Sequence, residues 1–375
     1  MTNHTITGRQ IECVMIMFWS GSLVILTYNS AAKQDVWISV LIATIMILPN
    51  LALFSRFVKL YPGLNLYDII IKICGKFAGK VVCFLYLIYS LHLGSMIVNT
   101  FNGFIHTMNT PETPLILTGA MVIVLAAWAA KNGPENIGRL AKYTWPILLT
   151  SITATFIIAI KNMNPSNLMP IMEADFKSLL AGASFYYALP LGEGILCLSF
   201  FSAVDKKVNA FKVFVKGLIW FMLLLLLIVF RNIMVLGFPS DIQFYYPSYQ
   251  AVSILSVGEF FTRMEVLIGI NLMLAGFIKI CVCVYCSSLG LTKLLNFSDQ
   301  KQAVIPCALI IFTFAGLVTS NSIQYANFTK YYQIYALPFE VILPAILWIV
   351  AEIRNKVGNS SKNKDKELSQ TANPT

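Results

Sequence analysis

Charge is scarce in this sequence. Asp, Glu, Lys and Arg make up 12% of its 375 residues, against about 25% in an ordinary soluble domain. So little polar surface could not cover two soluble cores, although the length alone would allow two domains. Histidine is rarer still, with three residues far apart. There is no glycine-rich phosphate loop with its Lys, no Ser/His/Asp order around a nucleophile elbow, and no carboxylate pair on a soluble stretch. These absences make an enzyme a poor fit. No Lys/Arg patch interleaved with aromatics lies on a soluble stretch, which argues against a nucleic-acid partner. Eight cysteines are scattered, and Cys281, Cys283 and Cys286 cluster inside an apolar run. A helical C-x-C-x-x-C does not present four tetrahedral ligands, so these read as small packing residues. No metal and no cofactor is expected.

Apolar residues are plentiful instead, at 57% of the chain. They fall into ten long runs, at roughly 11–30, 36–54, 80–107, 114–130, 138–160, 178–201, 217–236, 260–292, 303–319 and 334–353. Most reach the ~17–25 residues that a helix needs to cross the hydrocarbon core. Backbone in lipid must satisfy its own hydrogen bonds, so such runs are helices. The alternating polarity of a β-barrel is absent. The first run contains Trp19 and is followed by no small-residue cleavage site, so it reads as a retained span. The fold class is an all-α membrane protein with ten transmembrane helices.

With the N-terminus placed inside, the inner loops hold 20 Lys/Arg and the outer loops 5, with Arg231 among the outer ones. That bias predicts both termini to be cytoplasmic. It also accounts for the formal charge of +10 without nucleic acid, because basic inner loops face anionic lipid. The inner stretch from Tyr61 to Lys80 is expected to hold a short amphipathic surface helix. Residues 1–357 read as one membrane domain, and 358–375, rich in Asn, Ser and Lys, as a disordered cytoplasmic tail.

The two halves match. The third and eighth runs are the longest, the fourth and ninth the shortest. The first span, framed by Arg9 and Lys33, is centred on Gly21 in Ser20-Gly21-Ser22. The sixth, framed by Lys177 and Asp205, is centred on Leu191, beside Pro190, Gly192, Glu193 and Gly194. Ten spans split five plus five place the second half upside down, so the repeats are inverted. Discontinuous helices at matching positions, here 1 and 6, are the sequence pointer to a transporter-type binding site. Gly costs about 1 kcal/mol and Pro about 3 kcal/mol in a helix interior, and an intramembrane carboxylate costs roughly 2–4 kcal/mol more. Ser20, Gly21, Ser22, Pro190, Gly192, Glu193 and Gly194 are therefore the candidate ligand-binding residues, around a wet gap that suits a small zwitterion. Two plainer alternatives stand beside this. The sixth span is a kinked helix whose Glu193 bonds to a neighbour, and Ser20-Gly21-Ser22 serves close helix packing.

Other polar residues admit two readings each. Lys279 either replaces a coupling cation or pairs with a carboxylate such as Glu193, or it faces the bundle held by backbone carbonyls. His92 is a proton relay or a packing residue. Glu259 and Arg263, four apart, form a structural ion pair on one helix face. Glu12 and Glu340 lie near span ends, where they reach headgroups or cap neighbours, and Pro338 predicts a kink before Glu340.

Several stretches carry a family likeness. They are Thr7-Gly8-Arg9-Gln10, Ala32-Lys33-Gln34-Asp35-Val36-Trp37, Tyr61-Pro62-Gly63-Leu64-Asn65-Leu66, Trp145-Pro146, Phe238-Pro239, Tyr246-Pro247-Ser248-Tyr249-Gln250-Ala251, and Glu259-Phe260 through Arg263-Met264-Glu265. In this order they resemble the B subunits of bacterial nutrient-germinant receptors, a branch of the amino acid–polyamine–organocation permease superfamily. The superfamily often has a more glycine-rich break in the first span than Ser20-Gly21-Ser22. The resemblance implies a multi-pass subunit of the spore inner membrane, assembled with a larger A subunit and a C-subunit lipoprotein. It implies recognition of a small nutrient, an amino acid or a sugar, that triggers germination. An amino acid permease acting on its own is the alternative.

Overall fold

The computed structural model describes residues 6–23, 30–108, 114–239, 244, 246–255, 264–317 and 322–356. The expected Glu259–Arg263 pair and the 358–375 tail lie outside the described residues. Among those described the chain is helical, and the one β-type contact is an isolated bridge between Ile6 and Val204.

Among the described residues seven helices are long and apolar enough to cross a membrane, and two shorter apolar ones, Leu115–Lys131 and Lys301–Leu317, stand between them. With Gly8–Leu23 at the start, they follow the ten predicted runs in order. The length symmetry holds. The third span, Lys76–Met108, has 33 residues and the eighth, Val266–Leu295, has 30. The fourth and ninth have 17 each. The third and eighth spans pack along each other, and the first lies against the eighth, seventh and fifth. The bundle wears its apolar residues outward: Phe77 is 86% exposed, Ile116 and Ile334 74% each. On a soluble protein such a surface would drive association; around a bundle it faces acyl chains.

The family-like stretches have local physical roles. Thr7 and Gln10 form a capping box at the start of the first span. Gln10 N–H donates to Thr7 Oγ1 at 3.3 Å, and Thr7 N–H to Gln10 Oε1 at 2.8 Å. After the second span, Gly63 takes a positive φ of 79°. Asn65 then caps the predicted surface helix, Leu66–Cys74, accepting from Asp68 N–H at 3.0 Å. Asp68 in turn pairs with Lys293 at the end of the eighth span, 2.6 Å away.

Lys33, Gln34 and Asp35 clamp the connection before the sixth span. Lys33 Nζ reaches Glu173 Oε1 at 2.7 Å, and Gln34 Nε2 donates to Pro170 O at 2.9 Å and Glu173 Oε2 at 2.6 Å. Buried Asp35 accepts the Met172 and Ala174 N–H groups at 2.9 and 3.0 Å. Lys33 and Gln34 hold the Glu173 carboxyl below its usual value of 4.5.

One orientation assignment needs correcting. Arg231 is not in an outer loop. It lies inside the seventh span, Ala210–Leu236, and is 1% exposed. Its guanidinium donates to Thr155 Oγ1 at 2.9 Å and to Asn232 Oδ1, and Asn232 Nδ2 donates to Ser248 Oγ at 3.0 Å. The seventh apolar run, 217–236, already contains Arg231; counting it with the outer loops followed its charge, because Thr155 and Ser248, which hold the polar group inside, lie on other segments.

Candidate functional site

The sixth span is broken where proline predicts it. An α-helix runs from Phe176 to Tyr186, a wider turn from Tyr187 to Leu191, and a tighter 3-10 helix from Gly192 to Phe200. The break itself is Leu189, with φ −125° and ψ 105°. It precedes Pro190, whose ring removes an N–H donor and bars the preceding residue from the α region.

The two glycines serve a different purpose from the breaking role expected of them. Neither has a positive φ. They make room. A Cβ on Gly192 would lie 2.1 Å from Glu340 Oε2, and one on Gly194 would lie 3.0 Å from Trp19 Nε1. Glu193 sits between these two close approaches, fully buried.

The first span departs from expectation. It stays α-helical through Ser20, Gly21 and Ser22 to Leu23, so the interruption does not fall on these residues. The packing alternative describes them. A Cβ on Gly21 would meet Ala275 O at 2.8 Å and Lys279 Cβ at 2.9 Å. The glycine is the crossing point of the first and eighth spans, and helix propensity yields to that contact. Ser20 is buried, and its hydroxyl has no hydrogen-bond partner among the described residues. Ser22 is engaged at the centre.

That centre is a line of polar side chains from five spans. Lys279 of the eighth donates to Glu193 of the sixth and to Ser22 of the first. Its ammonium lies 4.8 Å from the centroid of the Phe18 ring. Tyr332 of the tenth span is 2.8 Å from Glu193 Oε1. Tyr89 of the third is 3.3 Å from the Tyr332 hydroxyl and 2.7 Å from Glu340 Oε1. Lys279, Glu193 and Glu340 are all 0% exposed. Of the two readings of Lys279, pairing with Glu193 is the one realised. The pair sits at the break and joins three spans, so any molecule entering there competes with groups the protein has already paired. Burying two ions costs several kcal/mol each, which only good geometry and further hydrogen bonds offset.

His92 stands to one side. Its ring meets Phe328 at 5.3 Å and Tyr335 at 4.9 Å, both edge-on, and its Nδ1 has no hydrogen-bond partner among the described residues. The packing reading fits this environment.

Glu340 was placed near a span end by sequence, and this is overturned. It is at the centre of the molecule. Pro338 opens a wider turn over Pro338–Ile342, so the kink is there, and it swings Glu340 inward against Gly192. Its carbonyl accepts from Asn50 Nδ2 at 2.8 Å, and its Oε2 has no hydrogen-bond partner among the described residues. A cavity of about 520 Å³ between the second, sixth and tenth spans is lined by Asn50, Ser184, Tyr187, Gln333 and Glu340 among apolar residues. The signal for Glu340 was present: a carboxylate two residues after a proline inside an apolar run, close to the three-residue spacing of Pro190 and Glu193. Tyr89 and Tyr332 carried no signal, being two among 16 tyrosines.

A helical, multi-pass bundle with a broken sixth span and a buried ion pair at the break defines a permease-like membrane protein. Comparison with solved structures supports the fold. The chain superposes on Mhp1, a nucleobase-cation-symport-1 family transporter solved closed with bromovinylhydantoin bound, with a TM-score of 0.66 at 13% identity, covering 92% of this chain and 78% of that one. For MhsT, solved with L-phenylalanine, the TM-score is 0.64 at 13% identity, covering 90% and 87%. The five-plus-five inverted-repeat architecture accords with both.

The family model described as spore germination protein matches residues 5–323, and the chain belongs to that family. Among curated relatives from Bacillus subtilis (strain 168), spore germination protein KB is 25% identical over 377 residues, covering 97% of this chain and 99% of the relative. The putative spore germination protein YfkT is 24% identical over 337 residues, covering 89% and 91%.

Proposed function

We propose that this chain is the permease-like subunit of a spore nutrient germinant receptor, binding a small nutrient, an amino acid or a sugar, at the break of its sixth span. The Lys279–Glu193 pair carries this reading. It is a charged, hydrogen-bonding centre at the crossing of the first, sixth and eighth spans, buried where a soluble protein would place apolar packing. Its family and its whole-length relatives support a role in germination. In this reading the chain lies in the spore inner membrane with both termini cytoplasmic. It assembles with an A subunit and a C-subunit lipoprotein. Nutrient takes over partners of Lys279 or Glu193 and shifts the spans that the pair joins. It does so only through unequal affinity for the two arrangements.

The test is a spore carrying Glu193→Gln with the receptor at its normal level. The germination dose–response is expected to move to higher nutrient concentration. An unchanged curve removes Glu193 from the site. The likeness to two solved transporters favours a second reading, an amino acid permease acting alone. Uptake of labelled amino acid by vesicles containing only this chain would select it.

A further inference from the structure

Proton counting around the centre leads to a site that the pairing of Lys279 with Glu193 does not explain. Three oxygen–oxygen contacts link Glu193, Tyr332, Tyr89 and Glu340 in a row, at 2.8, 3.3 and 2.7 Å. Each needs a proton between its oxygens. The two phenols supply two. If both donate outward to ionised carboxylates, the Tyr89 and Tyr332 oxygens face each other with lone pairs only, in surroundings where an unmade hydrogen bond is costly. The longest link, 3.3 Å, is the one left without a proton. A third proton on Glu340 Oε1 completes the row: Glu340 donates to Tyr89, Tyr89 to Tyr332, and Tyr332 to Glu193. Charge points the same way. With both carboxylates ionised, the centre has two anions against one ammonium, all 0% exposed. With Glu340 neutral, the charges cancel.

We propose that Glu340 is a proton-binding site, and that Tyr89 and Tyr332 pass its proton to Glu193 and so open the Lys279–Glu193 pair. In the transfer the Glu340 O–H bond breaks and a bond to the Tyr89 oxygen forms. Tyr89 gives its own proton to Tyr332, and Tyr332 gives its own to Glu193 Oε1. Each phenol ends as it began. The negative charge has moved from Glu193 to Glu340, and Lys279 has lost its counter-ion. Glu340 lines the 520 Å³ cavity between the second, sixth and tenth spans, through which it takes a replacement proton. The opened centre thus holds one proton more than the closed one. Its net charge of one positive unit, on Lys279, suits an anionic group.

The titratable groups facing Glu340 are Tyr89, together with Tyr86, whose hydroxyl donates to Phe339 O at 2.8 Å, and Tyr187 in the break, Tyr332, Glu193 and Lys279. Lys279 is the single cation among them, and it is already committed to Glu193 and Ser22. Gly192 makes the arrangement sterically possible, since any side chain there would displace the Glu340 carboxyl.

The device needs no nutrient, so its test stands apart from the receptor reading. The full chain is placed in lipid nanodiscs. Infrared spectroscopy at neutral pH should show the carbonyl stretch of a buried, protonated carboxylic acid, lost in Glu340→Gln and kept in Glu193→Gln. Hydrogen–deuterium exchange of residues 187–200, corrected for intrinsic chemistry, should show opening that rises about tenfold per unit fall in pH, the slope of one bound proton. Glu193→Gln, which removes the carboxylate that ends with the extra proton, should flatten that slope. Glu340→Gln and Tyr332→Phe, which cut the row, should keep the slope but slow the opening that follows a downward pH jump. The proposal is overturned if no such band exists, if Glu193→Gln removes the band instead or keeps the slope, or if Glu340→Gln and Tyr332→Phe open as fast as the wild type.

Discussion

Replacing Lys279 by Met removes the one ammonium at the centre while keeping most of the stem's volume. Lys279 is 0% exposed, bonded to Glu193 and Ser22, with its ammonium over the Phe18 ring. Without it, Glu193 keeps one donor, Tyr332 at 2.8 Å. Removing one partner of a buried pair costs about 3–5 kcal/mol, which is roughly two to three and a half powers of ten in the folding equilibrium. Replacing both partners by neutral groups of similar volume is close to neutral. Lys279→Met/Glu193→Gln should therefore recover most of the loss. The cost should shrink at lower pH, because a protonated Glu193 no longer needs a cation. The assay is denaturing-detergent titration of the purified chain in mixed micelles, run as a double-mutant cycle. A single-variant cost below about 1 kcal/mol, or two costs that simply add, would show that the pair is not coupled as its geometry requires.

Three further outcomes follow from the packing. Gly192→Ala forces a methyl against Glu340 Oε2 and Cδ, 2.1 and 2.5 Å from the ideal Cβ. It should cost about 1–3 kcal/mol in the same titration, as overpacking does, and Glu340→Ala in the same chain should relieve it. Asp35→Ala leaves the Met172 and Ala174 N–H groups without their acceptor. Faster hydrogen exchange at residues 170–175 should follow, with the exchange of the eighth span unchanged. Glu173 is held below 4.5 by Lys33 and Gln34. The sign is that of a depressed carboxylate: its contribution is full above the usual value and fades as pH falls through the folded one. Protection of residues 170–175 should therefore weaken in acid below pH 4.5 in the wild type, and Lys33→Met should lose that acid dependence.

The glycines flanking Glu193 show how far pattern carries. Sequence singles out Pro190, Gly192, Glu193 and Gly194 because each is costly in an apolar helix, and all four prove to sit at the break or at a close approach. It misreads the role of the glycines. A glycine that bends a backbone and one that admits a neighbour look alike in one dimension, and only the position of Glu340 and Trp19 separates them. Ser20-Gly21-Ser22 is the same ambiguity resolved the same way, toward close packing against Lys279. Glu340 and Arg231 were misplaced for a related reason. Both lie inside apolar runs, 334–353 and 217–236, and were assigned outward on their charge alone, because the partners that bury them are distant in sequence.

Scarce charge and ten apolar runs suffice for a helical membrane bundle, because backbone in lipid has no other way to satisfy its hydrogen bonds. The matching lengths of the two halves suffice for the repeat. Which polar side chains meet is another matter. Ser22, Tyr89, Glu193, Lys279, Tyr332 and Glu340 lie on five spans up to 318 positions apart. Their contact depends on helix crossings at Gly21 and Gly192 that no local pattern encodes. The buried charge had to find its partners in three dimensions, and only the packed bundle decides which they are.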